Sequence, residues 1–159
     1  MEKRNGCTVI AGCGRLGASI AGKLSEEKKD VMVLDCDKTA FRKLPYSYGG
    51  LTLTASATDM ERLEAFGLAD AAAFIAVTDH DCVNICAAQI AKEMFHIPKV
   101  VARIYDEEKI ALVKEMGIDT ICPSELSEKE IANYIEIGGG THVEKKERTK
   151  KYSDRGRIP

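Results

Sequence analysis

The sequence predicts a doubly wound α/β fold with six parallel strands in the order 3-2-1-4-5-6 and helices on both faces of the sheet. Short apolar or β-branched runs alternate with amphipathic stretches of ten to sixteen residues, which is typical of βαβ units. A glycine-rich turn, Gly12–Gly17, follows the first run, and an acid, Asp35, ends the second. Right-handed crossovers then place a ligand crevice beyond the strand ends, where the chain reverses direction between the first and fourth strands.

Six runs are predicted as strands because each is short, apolar or β-branched, and bounded by turn residues. They are Cys7–Ala11, Val31–Asp35, Leu51–Thr54, Ala73–Val77, Val100–Ile104 and Thr120–Cys122. The segments predicted as helices are Leu16–Glu27, Lys38–Leu44, Met60–Phe66, Asp81–Phe95, Glu107–Met116 and Glu125–Ile137. Gly67 and Gly117 are expected to end helices, and Ser127 with Glu130 has the spacing of a capping box at a helix start.

The overall composition indicates a single folded domain. The chain has 159 residues, of which 45% are hydrophobic and 30% are charged, too few to add a full catalytic domain to such a sheet. No apolar run approaches the ~18 residues of a membrane span, so no direct membrane insertion is expected. The N-terminus does not resemble a signal peptide. Six cysteines without C-x-x-C spacing are expected to be reduced thiols of a cytoplasmic protein.

Charge separates the last residues from the rest of the chain. The segment 145–157 holds seven of the 23 basic residues and two of the 25 acids, so it carries +5 while the remainder carries −7. Glycines 138–140 precede it. We expect a nucleotide-binding domain over residues 1–137 and a flexible Gly-rich linker with a basic tail over residues 138–159. The acidic body argues against nucleic acid as a partner.

The turn GCGRLG at 12–17 has the G-x-G-x-x-G spacing of a dinucleotide-binding site, directly between a predicted strand and helix. Gly12 permits a tight turn, Gly14 lets backbone N–H groups approach phosphate, and Gly17 lets helix and strand pack closely. Phosphates would lie at the positive end of the helix. Asp35 is suited to accept from both ribose hydroxyls and disfavours a 2′-phosphate, so NAD(H) or an adenine nucleotide is favoured over NADP.

Two arginines bear on the choice between a redox cofactor and a sensed nucleotide. Arg15 lies inside the glycine turn, where a guanidinium adds bidentate contact to further phosphate charge; the alternative is a side chain that points into solvent. Arg103 lies within an otherwise apolar central strand, where its charge must be paired or must reach an anion at the strand end. Arg15 thus favours a polyphosphate or a sensed nucleotide, and a phosphate is a candidate partner for Arg103.

The loops after the third and fourth strands carry hydroxyl groups and carboxylates. Such side chains suit N-capping of the following helices, and both loops also face the predicted crevice. There Ser56 is expected to meet an adenine edge, and Thr78 a ribose or a nicotinamide amide. The neighbouring residues Ala57 and Thr58 belong to the same expected nucleotide contacts.

No credible catalytic set accompanies the glycine turn. A dehydrogenase needs an acid or base group beside its substrate, but His80, His96 and His142 fall at a predicted helix cap, a helix end and the glycine linker. The leading hypothesis is therefore a nucleotide sensor that catalyses no reaction. The alternative is a small NAD-dependent oxidoreductase, which the same turn and Asp35 would also serve.

Several motifs together resemble the N-terminal RCK (TrkA-N) domain of Trk/Ktr-type potassium uptake regulators. The resemblance covers residues 7 to about 137. The motifs are Gly12-Cys-Gly-Arg-Leu-Gly17, Val-Leu-Asp35, Ala57-Thr58-Asp59, Ile75-Ala-Val-Thr-Asp79 with Asn84, Lys99-Val-Val-Ala-Arg103, and Gly117-Ile-Asp with Pro123-Ser-Glu125. Each is common by itself, but their combination is specific.

The resemblance implies a Rossmann domain that forms a homodimer or a higher ring at the cytoplasmic face of a membrane potassium transporter. It implies binding of NAD(H) or ATP/ADP and conversion of occupancy into gating. The turn, with Cys13, Arg15 and Leu16, would hold phosphates, and Asp35 would hold the ribose. Glu125 matches a glutamate that in some members helps to hold a divalent cation at the subunit interface. The final helix would pack on a neighbouring subunit.

Overall fold

The computed structural model describes residues 6–135 and contains six strands in that range. The strands are β1 Thr8–Ala11, β2 Val31–Asp35, β3 Leu51–Thr54, β4 Ala73–Ala76, β5 Lys99–Arg103 and β6 Asp119–Ile121. The α-helices are α1 Arg15–Glu26, α2 Met60–Ala65, α3 Asp81–Gln89, α4 Glu107–Glu115 and α5 Pro123–Ile135. Two 3₁₀ segments, Lys38–Lys43 and Leu68–Asp70, complete the crossovers.

All strand pairs are parallel, and the sheet order is β3-β2-β1-β4-β5-β6. The register aligns Ala11 with Ala76, and Ala76 with Ala102. The segments that follow β1, β4 and β5 therefore leave the sheet at one level. The predicted order is confirmed, and the chain reverses direction between β1 and β4, the point at which sheets of this kind bind ligands.

Two hydrophobic cores cover the two faces of the sheet. Alternation along β1 and β2 sends Val9 and Leu34 into one core, and Ile10 and Val33 into the other. The first core receives Leu63 of α2, Ala87 and Ala88 of α3, and Val113 of α4. The second core receives Ala18 and Ala21 of α1, and Ala40 of the first 3₁₀ segment. Helices on both faces, as predicted, explain why the central strands β1 and β4 are apolar except for Thr8.

Some predicted boundaries differ from the structure. The segment after β2 is a 3₁₀ helix, and the helix after β4 is α-helical only to Gln89 before a π-helical turn over Ile90–Met94. The capping box at Ser127 was wrong, because Ser127 lies inside α5 and its hydroxyl donates to the Pro123 carbonyl at 2.8 Å. Gly67 and Gly117 do end helices, with φ of 76° and 70°.

The chain divides into two units, one up to Ser127 and one from Glu128. Of the second unit, the structure describes only the end of α5, to Ile135. The predicted linker and basic tail over residues 138–159 lie outside the described residues. Among residues 6–135, no helix combines the length and apolar character that a membrane crossing requires.

Candidate nucleotide-binding site

The glycine turn connects β1 to α1 at the level where the parallel strands end. Gly12 has a φ of 106°, and a Cβ there would lie 2.9 Å from the backbone nitrogen of Thr78, just after β4. Both conformation and space therefore require glycine. The glycine turn therefore packs directly against the loop that follows β4.

Gly17 lies in the first turn of α1, behind the glycine turn. A Cβ at Gly17 would overlap the carbonyl oxygen of Gly12 and would touch Ile10 Cγ2 at 3.4 Å. The close approach of helix and strand that the sequence predicted at Gly17 is therefore present. It brings the N-terminus of α1 up to the end of β1.

Gly14 differs from the other two glycines of the turn. Its φ is −76°, which any residue adopts, and a Cβ there would meet no protein atom within 4 Å. Gly14 is the N-cap of α1, where no side chain caps the helix and no acid lies in the first turn. Neither conformation nor packing explains this glycine, and the open space before unpaired helix N–H groups fits a phosphate.

Asp35, at the end of β2, is fixed against the glycine turn by two backbone N–H groups. The N–H of Cys13 donates to Oδ2 at 2.7 Å, and the N–H of Asp37 donates to Oδ1 at 2.9 Å. The carboxylate is half-buried. It keeps acceptor capacity on each oxygen, because a carboxylate oxygen accepts more than one hydrogen bond.

Cys13 contributes to the site only through its backbone. Its side chain is fully buried in the second core, and its N–H is already used by Asp35. Burial, and then the negative charge of Asp35, raise the pKa of the Cys13 thiol. Phosphate contacts from this turn must therefore come from Gly14 and from the first residues of α1.

Because the Cys13 thiol is buried and protonated, we expect it to resist alkylation in the folded protein at neutral pH. Cys36, Cys82 and Cys86 are exposed and should react first. Mass spectrometry after timed iodoacetamide treatment measures this, and full labelling of all six thiols in denaturant is the control. Labelling of Cys13 at the rate of Cys36 would contradict the placement.

Arg15 and Leu16 begin α1, and both side chains are exposed. The Arg15 side chain is therefore accessible from solvent. The exposed fraction of Leu16 is 37%. The phosphate role of Arg15 remains a prediction.

The loop after β3 has its own hydroxyl pair. Ser56 Oγ and Thr58 Oγ1 lie 3.0 Å apart, and the Thr58 N–H donates to Ser56 Oγ at 3.3 Å. Asp59, not Ser56 or Thr58, caps α2, by accepting from the Arg62 N–H at 3.1 Å. The methyl group of Ala57 is buried in the first core, so only its backbone is left for a nucleotide.

Thr78, after β4, is held by a residue to which the sequence assigned no role. The Thr78 N–H and hydroxyl both donate to Asn84 Oδ1, at 2.8 and 2.7 Å. Asn84 Nδ2 donates in turn to the carbonyls of Thr78 and Arg103, at 2.9 and 2.8 Å. Asn84 is fully buried, and this amide fastens the end of β4 to the end of β5.

Arg103 lies in the same network with its charge paired. Its Nη2 donates to the Thr78 carbonyl at 2.9 Å and to Asp79 Oδ1 at 3.0 Å. Its guanidinium carbon lies 5.0 Å from the centre of the Tyr105 ring. Its Nε is buried and has no hydrogen-bond partner. An unused donor of this kind fits an anion, but the expected phosphate contact remains a prediction.

Two further acids, Asp81 and Glu125, lie in the first turns of helices. Asp81, in the first turn of α3, accepts from the N–H groups of Tyr105 and Asp106 at 3.0 and 2.9 Å, which fixes the β5 loop. Glu125, in the first turn of α5, is half-buried. Across residues 6–135 no cluster of three or more metal-ligating side chains is assembled. The cation role of Glu125 remains a prediction.

The sequence matches the TrkA-N domain family over residues 8–123. The chain belongs to this family. Proteins named Trk system potassium uptake protein TrkA are similar to it, at 42% identity over 113 residues in Streptomyces coelicolor and 32% over 142 residues in Vibrio alginolyticus. These alignments cover 71% and 85% of the chain, and 51% and 31% of the relatives. The chain thus spans about half or less of their length.

Solved TrkA-N and RCK domains share the fold. The TrkA-N domain of an Escherichia coli inner membrane protein aligns with a TM-score of 0.73 at 16% identity, over 82% of this chain and 96% of that one. The GsuK protein bound to ADP aligns at 0.70 and 20%, over 85% and 35%. The GsuK channel bound to NAD aligns at 0.69 and 21%, over 82% and 23%. At these identities the likeness establishes the fold alone.

Proposed function

We propose that this TrkA-N domain is the nucleotide-binding part of a regulatory subunit of a Trk-type potassium uptake system. It binds NAD(H) or ATP/ADP, and it works in the cytoplasm at the inner face of the cell membrane. The observation that carries the proposal is Gly14, whose missing side chain leaves open space before the unpaired N–H groups of α1. The names of the TrkA relatives and the two nucleotide complexes of GsuK support it.

The residues of the crevice supply the contacts that such a ligand needs. Backbone N–H groups at Gly14 and the start of α1, with the Arg15 guanidinium, would hold phosphate charge. Asp35, already fixed by Cys13 N–H, would accept from ribose hydroxyls. Ser56, Thr58 and the backbone of Ala57 would border the nucleoside. A bound nucleotide supplies phosphate charge and a base, and the proposed role needs no reaction of it.

Regulation requires that the nucleotide bind two conformations with different affinity. A ligand shifts a conformational equilibrium only by that difference, and coupling of about 1–3 kcal/mol is usual. The crevice is suited to such coupling because it joins the loops after β1, β4 and β5 through Gly12, Thr78 and Asn84. In the proposed system, a membrane potassium transporter is the partner that responds.

Self-association is the second part of the proposal. No residue of α5 is buried, and Leu126, Ile131, Tyr134 and Ile135 are all more than half exposed. Exposed apolar side chains of this number favour a protein partner. A homodimer or a higher ring would cover them, and a divalent cation near Glu125 would lie at such an interface.

Calorimetric titration of the purified protein with ATP, ADP, AMP, NAD⁺ and NADH, with and without Mg²⁺, tests the proposal. Binding of at least one nucleotide is expected, and no binding to any would refute it. Hydride transfer from NADH to a panel of small carbonyl compounds would instead favour the oxidoreductase.

Arg15→Ala is expected to weaken ATP binding about tenfold and AMP binding much less, because the guanidinium adds contact to further phosphates. Lys23→Ala, an exposed cation in the last turn of the same helix, is the matched control and should leave both affinities unchanged. Equal losses for ATP and AMP in the Arg15 variant would mean that its contact is elsewhere.

A further inference from the structure

Arg103 is a buried cation whose hydrogen bonding is incomplete. The exposed fraction of its side chain is 9%, which leaves little access for water. Nη2 uses its donors on the Thr78 carbonyl and on Asp79 Oδ1, whereas Nε has no partner. A buried donor without an acceptor costs stability, so an oxyanion would complete the set.

The pairing with Asp79 uses only one of the two nitrogens on one edge of the guanidinium. Nε and Nη2 lie on one edge of the planar group, and a carboxylate or phosphate with two oxygens can accept from both at once. Asp79 makes a single contact of 3.0 Å at Nη2. The side chain of Asp79 is 88% exposed, so water competes for it and its attraction to Arg103 is screened. The hydrogen bond from Arg103 Nη2 to Asp79 is therefore a single contact, which an anion that accepts from both Nε and Nη2 can replace.

The Arg103 guanidinium contacts a residue, Thr78, that itself packs against the glycine turn. Its Nη2 contacts the carbonyl of Thr78, and the backbone nitrogen of the same Thr78 is the atom closest to a Cβ placed on Gly12. Arg103 and Asp79 are therefore connected through Thr78 to the turn at which phosphate is proposed to bind. The negative charge of Asp79 repels a phosphate there and occupies a donor that the phosphate would use.

We propose that Asp79 is a built-in competitor for the nucleotide. In the nucleotide-free protein it neutralises Arg103, and a phosphate-bearing ligand must displace it to reach Nε and Nη2 together. Asp79 thereby sets the nucleotide concentration to which the domain responds. This inference rests on the proposed function and adds the residue that tunes the affinity of the site.

Asp79→Asn tests the inference because it keeps an oxygen acceptor for Nη2 and removes the charge. ATP affinity, measured by calorimetry on the full chain, is expected to rise about two- to fivefold, the range of one screened charge pair. In an Arg103→Gln background the same substitution should have no effect, because the competition needs the guanidinium. Asp70→Asn, an exposed acid just before β4, is the control and should change nothing.

The outcomes of this experiment distinguish the inference about Asp79 from the proposed function. Tighter ATP binding by Asp79→Asn that vanishes with Arg103→Gln supports the inference. Nucleotide binding by the wild type with an unchanged or lower affinity in Asp79→Asn overturns it and leaves the proposed function standing. An increase in ATP affinity that persists in the Arg103→Gln background also overturns it, because the charge of Asp79 then acts on the nucleotide directly and not through Arg103. No binding by either protein refutes the proposed function, and the inference falls with it.

A second measurement covers the case in which Arg103→Gln does not fold. The Nε–H resonance of Arg103 is followed by NMR while ATP is added to the wild type and to Asp79→Asn. A shift that saturates at lower ATP in Asp79→Asn supports the competition. An Nε–H resonance that does not respond in either protein overturns it.

Discussion

Gly17→Ala is expected to lower the free energy of unfolding by about 3 kcal/mol or more, because a new methyl group meets backbone that cannot move independently. The Cβ would overlap the carbonyl oxygen of Gly12 and crowd Ile10, so either α1 shifts away from β1 or the glycine turn opens. A loss of this size is a large share of the ~5–15 kcal/mol that stabilises an ordinary domain. Urea denaturation followed by circular dichroism measures it.

Gly14→Ala, three residues earlier in the same turn, is the matched control and should behave in the opposite way. A Cβ there meets no protein atom within 4 Å, and φ is ordinary, so the change in unfolding free energy should stay below about 1 kcal/mol. Nucleotide affinity should nevertheless fall at least about tenfold, because the methyl group fills the proposed phosphate space. Equal stability losses, or unchanged affinity in Gly14→Ala, would contradict the assignment.

The fold was predictable because its evidence is local and repeated. Each strand is a short apolar run, and right-handed crossovers leave few arrangements for six parallel strands. Gly67 and Gly117 marked helix ends, because a helix often ends in a residue with positive φ and glycine adopts it most easily. This preference is local and does not depend on tertiary contacts. The same kind of local evidence located the glycine turn and Asp35 at the strand ends. None of this depended on which side chains meet across the crevice.

The partners inside the crevice were not predictable, because they depend on tertiary geometry. The sequence raised pairing as one way to accommodate Arg103, but could not identify Asp79 as the partner. Cys13 and Ala57 were predicted nucleotide contacts, and the structure buries both side chains and leaves only backbone. The ends of β1 and β3 were located correctly and the end of β5 to within one residue, and the direction of each side chain was decided by packing.

Asn84 was the principal omission, although the sequence carried a sign of its role. It lies three, four and seven residues before Ala87, Ala88 and Ala91, which are all buried, so the helical repeat places its amide on the buried face of α3. A polar group on such a face needs partners for every donor and acceptor. Its place near the start of α3, the helix that follows β4, brings those partners from the strand ends, where it contacts the backbone of Thr78 and Arg103 and the Thr78 hydroxyl.

Asn84→Ala is expected to cost about 3 kcal/mol of unfolding free energy, because buried polar groups left without partners cost about 1–3 kcal/mol each. The variant removes the acceptor of the Thr78 N–H and the donor to the Arg103 carbonyl. The Thr78 carbonyl retains the bond from Arg103 Nη2, which limits the loss. Since the loops after β4 and β5 are then joined by fewer hydrogen bonds, nucleotide affinity should fall as well.

Gln89→Ala is the matched control for Asn84→Ala, because the two amides lie on the same helix. Gln89 is half-buried, and its Nε2 donates to the sulfur of Met116, a weak acceptor, so its loss should cost less than about 1 kcal/mol. Both variants are compared by urea denaturation at a common m-value, and then by ATP titration below the transition. A small effect in Asn84→Ala, or equal effects in both variants, would show that Asn84 does not hold the two strand ends together.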